Sequence, residues 1–147
     1  MKKPYRQAIM GILLKSDGSF LIGSSPRDGG YKFPQGGLEL YEKPEDGLIR
    51  EVLEELAIEI ARDKIFFRME KTVKYPYPNL EKYASEFIGQ EMFVFGVRLE
   101  DDALPVAQDD EFDQFHWIQF HEMTNYDFQH RTNAYNTAIQ ELLKFLA

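Results

Sequence analysis

A mixed sheet clasped between two helices, an α/β/α sandwich of the α/β (α+β) class, is the fold this sequence predicts. Two stretches carry a helical period, residues 48–56 and residues 133–145. Around them lie apolar runs of strand length, broken by Gly, Pro and Asp turns. The order is therefore strand, helix, several strands, helix, and one mixed sheet with a helix on each face accommodates it.

Residues 8–14 (AIMGILL) are too short and too apolar for a typical helix and read as a buried strand, interrupted by Gly11. Ser16-Asp17-Gly18-Ser19 has the composition of a hairpin turn, with residues 20–23 returning. Residues 24–30 (SSPRDGG) form a loop, 31–35 a short extended piece, and Gly36-Gly37 a turn toward the first helix. Pro44 suits the first helical position, and Glu45 and Asp46 suit the positive end of the helix dipole. Lys43 is a poor cap, and Gly47 inside the helix costs about 1 kcal/mol relative to Ala. Residues 65–69 and 72–75 read as strands. Residues 76–79 read as a loop, because two prolines cannot sit in a central strand, and 82–89 is ambiguous. Residues 91–99 (EMFVFGVRL) are the strongest strand and are expected at the centre of the sheet. An acidic loop over 100–113 precedes a last strand at 115–118. Ala134, Tyr135, Ala138, Ile139, Leu142 and Leu143 set the period of the second helix. With no repeat or linker, residues 1–147 read as one domain, long enough for a sizeable core.

The chemistry concentrates on the first helix. At ~100° per residue, Leu48, Ile49, Val52, Leu53 and Leu56 share one apolar stripe. Glu51, Glu54 and Glu55 fall together beside it at i, i+3, i+4 spacing, so three carboxylates crowd one patch. Like charges so placed repel. A divalent cation reverses the sign of that interaction, because hard oxygen ligands suit Mg2+. Glu42 adds a fourth carboxylate nearby, and ordinary acidic helices intersperse their acids with Lys and Arg for pairing.

Gly36, Glu42 and the run Arg50-Glu51-Val52-Leu53-Glu54-Glu55-Leu56-Ala57-Ile58 resemble the Nudix box, Gly-x5-Glu-x7-Arg-Glu-U-x-Glu-Glu-x-Gly-U, where U is a bulky apolar residue. Every defined position matches except the final Gly, which is Ala57 here. That Gly would end the helix at positive φ, an uphill conformation for Ala. The resemblance implies a Nudix-type sandwich that hydrolyses phosphoanhydride bonds with Mg2+, or Mn2+ in its place. By the same resemblance Glu51, Glu54 and Glu55, with Gly36, hold the metal, one glutamate doubling as base, and Arg50 orients a carboxylate. Tyr5-Arg6, Phe33-Pro34-Gln35-Gly36-Gly37, Ile88-Gly89-Gln90 and Glu111-Phe112-Asp113 are similar to the bacterial RNA pyrophosphohydrolase branch, and in part to dinucleoside polyphosphate hydrolases. In that branch the position of Glu111 serves as a further metal ligand or as the general base. Arg6 and Arg131 stand at phosphate-contacting positions, and His130 at a position where an aromatic ring stacks on a base. Lys32 and Gln35, beside the glycine turn, complete the substrate-binding candidates. Tyr31, Tyr75 and Tyr77 are further stacking candidates.

The expected activity is removal of pyrophosphate from a 5′-triphosphate RNA end. The alternative is hydrolysis of small nucleotides: dinucleoside polyphosphates, nucleoside triphosphates or nucleoside diphosphate sugars. A non-catalytic nucleotide-binding domain is the more distant alternative. A formal net charge of −8 argues against general binding to duplex nucleic acid, and favours a short 5′ end over a long backbone. No apolar run approaches the ~18–20 residues that span a bilayer, so no membrane role is expected. No small-residue cleavage site follows the basic N-terminus, so the cytoplasm is the default location. Zero cysteines exclude disulfides and Cys-ligated zinc. Assembly stays open between a monomer and a homodimer.

Overall fold

The structure, a computed structural model, describes residues 3–78, 86–108 and 110–147. Among the described residues, eight strands form one mixed sheet. They are β1 (Tyr5–Leu14), β2 (Phe20–Ser24), β3 (Tyr31–Lys32), β4 (Gln35–Gly37), β5 (Ile65–Arg68), β6 (Val73–Pro76), β7 (Gly89–Arg98) and β8 (Gln114–Ile118). Helix α1 spans Pro44–Leu56 and α2 spans Thr132–Leu146. The central path runs β3-β2-β1-β7-β5, with β4 on β1, β6 on β7 and β8 on β2. The centre is the parallel pair β1/β7, in register from Tyr5 opposite Gly89 to Leu14 opposite Arg98. The other pairings are antiparallel.

Why β1 reads as an unbroken apolar run is now plain: both of its faces are covered. Ala8, Met10, Ile12 and Leu14 point into one core with Met92 and Val94 of β7 and Ala134, Tyr135, Ala138, Ile139 and Leu142 of α2. Ile9 and Leu13 point into the other, with Phe95, Val97 and the α1 residues Leu48, Val52 and Leu56. The two-residue period of the strand thus divides its side chains between two helices. This is the expected sandwich.

Several boundaries move. β1 begins at Tyr5, because pairing with β7 extends it beyond its apolar part. Pro76 closes β6 opposite Gly89 instead of opening the loop. It can do so because β6 pairs with β7 alone and a missing N–H on its outer side breaks no ladder. Of the ambiguous 82–89 stretch, residues 82–85 lie outside the described residues, as do Asn79 of the expected loop and Asp109 of the acidic one.

The face of α1 is also rotated from expectation. Leu53, placed in the apolar stripe by the helical wheel, is 45% exposed, whereas Glu55 is only 2% exposed. The helix therefore turns one carboxylate toward the sheet. Its ends behave as expected. Pro44 takes the first turn, and Lys43 gives no side-chain cap. Ala57 adopts φ 57°, ψ 35°, its N–H donating to the Leu53 carbonyl. Gly47 has a packing reason: a methyl there would overlap Leu38.

Candidate active site

A cleft of about 590 Å3 opens where β4, α1, β1 and the loop after β2 meet. Its lining includes Arg6, Arg27, Asp28, Lys32, Gln35, Gly36, Gly37, Glu51, Glu111, His130 and Arg131, together with Tyr75, Tyr77 and Gln90. Residues spread from position 6 to position 131 are thus brought to one place, through three distinct local devices.

Glycines are the first. Gly36 and Gly37 pair with Ile9 and Ala8 of β1, so their α-carbons form part of the cleft floor. A methyl on Gly36 would occupy the Glu51 carboxylate, and one on Gly37 would occupy the Arg6 guanidinium. The flat β4 backbone therefore seats one acid and one base side by side. Gly23 does the same for Phe112: its added methyl would lie 2.5 Å from the ring. Phe112 packs there at 3% exposure and Asp113 N–H donates to the Ser24 carbonyl at 3.1 Å, which fixes the neighbouring Glu111.

Arg50 is the second. Its guanidinium donates to Glu42 through Nε and Nη2 at 2.8 Å, to Glu51 at 2.8 Å, to Glu54 at 3.2 Å and to the Gly37 carbonyl at 2.9 Å. A planar fork with five N–H groups can bind several oxygens at fixed angles. These carboxylates push the Arg50 pKa up, while its hydrogen bond holds Glu42 below the usual carboxylate range. Glu54 is on the helix surface, its side chain 56% exposed.

The third is a charged knot between the 25–30 loop and Lys32 of β3. Lys32 is 4% exposed, and its Nζ donates at 2.7 Å both to Asp28 and to Glu111. Arg27 reaches Glu111 at 3.5 Å and Asp28 at 3.3 Å. Burial raises the Asp28 carboxyl, but Lys32 and Arg27 outweigh it and hold the pKa at about 2. Neither Arg27 nor Asp28 was singled out from sequence; the Arg-Asp dipeptide in a polar loop was the one available signal.

Below these groups lies Glu55. Among the described residues no donor group reaches either of its buried oxygens, and the Glu111 carboxylate lies close enough to share a proton with it. Burial, then repulsion from Glu111 and Glu51, raises its pKa well above 4.5. Glu51 is raised too, mainly by burial, against the opposing pull of Arg50. An unpartnered buried carboxylate is costly, and a cation is what its surroundings lack. The donors are all carboxylate oxygens, the set that hard divalent ions prefer. Among the described residues, no three such side chains are already gathered into a metal cage.

The substrate-binding candidates divide. Arg6 and His130 line the cleft, His130 edge-on to Tyr75 with ring centroids 5.2 Å apart. Gln35 is 2% exposed and belongs to a buried amide–phenol chain. It accepts from the Tyr135 hydroxyl and donates to Tyr75 at 2.7 Å and to Gln90 at 3.3 Å. Arg131 also lines the cleft but is 1% exposed, and its Nη2 donates to the carbonyls of Gly29 at 2.6 Å and Tyr31 at 3.2 Å. It clips the charged loop onto the start of α2. Tyr31 packs against His116 and Tyr126 and is not among the cleft residues.

Residues 4–138 match the family model described as the NUDIX domain. The chain belongs to the Nudix family. It is accordingly a pyrophosphohydrolase, an enzyme of phosphoanhydride bonds. An RNA pyrophosphohydrolase from Halorhodospira halophila is 28% identical, the match covering 97% of this chain and 82% of that protein. Two solved Nudix-like structures share the fold. The Ap4A hydrolase of C. elegans superposes with a TM-score of 0.71 at 14% identity, covering 96% of this chain and 97% of that one. The dihydroneopterin triphosphate pyrophosphohydrolase of E. coli gives 0.70 at 16% identity, covering 94% and 99%. No helix among the described residues is long and apolar enough to cross a membrane.

Proposed function

We propose that this Nudix enzyme is an RNA pyrophosphohydrolase that uses Mg2+ to remove pyrophosphate from 5′-triphosphate ends. The observation that carries the reading is the mixed lining of one cleft. Glu51 and Glu111 face the same space as Arg6, Arg27 and Lys32, with Tyr75, Tyr77 and His130 alongside. Phosphoryl transfer from a polyphosphate needs that combination: acids to hold a cation, and bases to hold the phosphate tail. Similarity to an RNA pyrophosphohydrolase over nearly the whole chain supports the RNA end as substrate.

Glu51, Glu55 and Glu111 are the residues we assign to the cation, with Glu54 joining them by turning from Arg50. When bound, Mg2+ neutralises phosphate charge and makes water more acidic. The protein's own groups do the rest. Arg50 keeps the Glu51 carboxylate fixed over Gly36, and Arg6 on Gly37 offers an exposed guanidinium to the phosphate tail. The proton of the attacking water passes to a carboxylate, with Glu111 and Glu54 the two candidates. His130 and Tyr77 present ring faces or edges to the first base, where stacking contributes about 1–3 kcal/mol.

The test is a side-by-side assay with Mg2+ on 5′-triphosphorylated RNA, diadenosine tetraphosphate, GTP and a nucleotide sugar. Release of pyrophosphate from RNA at the highest kcat/KM is the expected result. Fast cleavage of a small nucleotide with the RNA left intact would refute the RNA assignment and leave the hydrolase. Glu54→Gln separates the metal role from the fold: turnover should nearly vanish with an unchanged melting temperature.

A further inference from the structure

The Lys32 ammonium occupies an unusual place. It is buried, yet it lines the cleft, and it bridges Asp28 and Glu111 at 2.7 Å each. Glu111 in turn repels Glu55, whose oxygens no donor group reaches among the described residues. The site therefore holds three acids whose one buried ammonium sits on one of them. A divalent ion entering among Glu51, Glu55 and Glu111 has to share Glu111 with that ammonium, and two cations on one carboxylate repel. Asp28, in the loop just before β3, offers the ammonium a second anchor, so it can release Glu111 without losing all compensation.

We infer that Lys32 is an exchangeable counter-ion, holding Glu111 in the metal-free enzyme and passing to a phosphate oxygen of the substrate when the cation takes Glu111. The inference rests on the assignment of the three glutamates to a cation made above. It makes metal and phosphate binding mutually reinforcing. Whatever factor the cation contributes to phosphate affinity, phosphate contributes to cation affinity. An empty site then binds metal weakly, and a site offered phosphate binds it well. Lysine suits the task better than arginine, being a compact point charge with three donors on a flexible stem.

The experiment is calorimetric titration with Mn2+ alone, with inorganic phosphate alone, and with each in the presence of the other. In the unsubstituted protein each should tighten the other. Lys32→Met should bind Mn2+ alone about fivefold or more tighter, because a repelling charge is gone, and phosphate should tighten Mn2+ binding by a smaller factor than in the unsubstituted protein. Asp28→Asn has the opposite sign: it leaves the ammonium on Glu111 alone, and Mn2+ should bind more weakly. If Lys32 were merely structural, its loss would loosen Glu111, and both variants would bind Mn2+ more weakly. That result overturns the inference, as does the lack of coupling in the unsubstituted protein, which requires no variant to fold. Failure of the unsubstituted protein to bind Mn2+ at all would overturn the metal assignment together with it. Mn2+ binding that is intact and unmoved by Lys32→Met would overturn this inference alone.

Discussion

Replacing Glu55 by Gln isolates the buried carboxylate from everything else on α1. The amide keeps the shape and removes the charge. An unpartnered buried polar group costs about 1–3 kcal/mol, and a charged one more. Removing the charge alone should therefore stabilise the metal-free protein by about 1–2 kcal/mol, or ~2–8 °C in melting temperature for a chain of this size. The pH dependence is the sharper signature. Burial and the neighbours Glu111 and Glu51 raise the folded pKa of Glu55 above its ordinary 4.5. The folded state then holds this proton more tightly than the unfolded one. Its contribution is fully present below the unfolded value and is lost as pH rises through the folded one. Melting in chelator from about pH 4 to about pH 8 should show the two proteins equal at the acid end, with Glu55→Gln gaining steadily toward the alkaline end. Adding Mg2+ should reverse the order. At a hundredfold excess over Kd the unsubstituted protein gains about 2.7 kcal/mol, and the variant far less. A variant that melts lower in chelator across the whole range would refute the reasoning, since Glu55 would then be paired.

Three further substitutions test other parts of the structure. Ala57→Gly relieves a left-handed residue, a gain of about 1–2 kcal/mol less the ~0.4–1 kcal/mol that glycine adds to unfolded-chain entropy; thermal melts should rise by a few degrees with kcat unchanged. Gly36→Ala puts a methyl where the Glu51 carboxylate sits. Activity should fall by about two orders of magnitude while far-ultraviolet dichroism stays normal, and an active Gly36→Ala enzyme would mean that Glu51 is not needed in that position. Arg131→Met leaves the carbonyls of Gly29 and Tyr31 without their buried donor and should cost about 2–3 kcal/mol in urea unfolding, a loss absent if the residue acts on substrate alone.

Local signals made the fold legible. The apolar runs 8–14 of β1 and 92–97 of β7 are covered by helices on both sides of the sheet, and the period of α2 is nearly complete along its length. The acidic helix was found from spacing and its weak cap at Lys43 from residue type, whereas the strained end at Ala57 followed from the resemblance to the Nudix box. The wheel failed at Leu53 and Glu55, which lie at opposite ends of the apolar arc. Hydrophobicity would bury the leucine, and no wheel encodes the packing that sets Glu55 beside Glu51 and Glu111 instead. The Lys32–Glu111 pair joins residues 79 positions apart, and no period or turn rule couples them. Arg131 has the same lesson: the family resemblance marks it as a contact for phosphate, whereas its burial against two carbonyls is a property of the packed loop.

Phe112 on Gly23 and the Asp113–Ser24 bond together anchor Glu111 to β2. The position of this acid is thus referenced to a strand laid down near the start of the chain, and is independent of the length of the stretch that leads to it. Loop closure becomes only slowly more costly with length, by about 0.6 kcal/mol per doubling. Residues 100–108 can accordingly lengthen, shorten or carry an inserted peptide while Glu111 keeps its place in the cleft. That gives variation in length a place to accumulate away from the cleft without disturbing the acid that follows it.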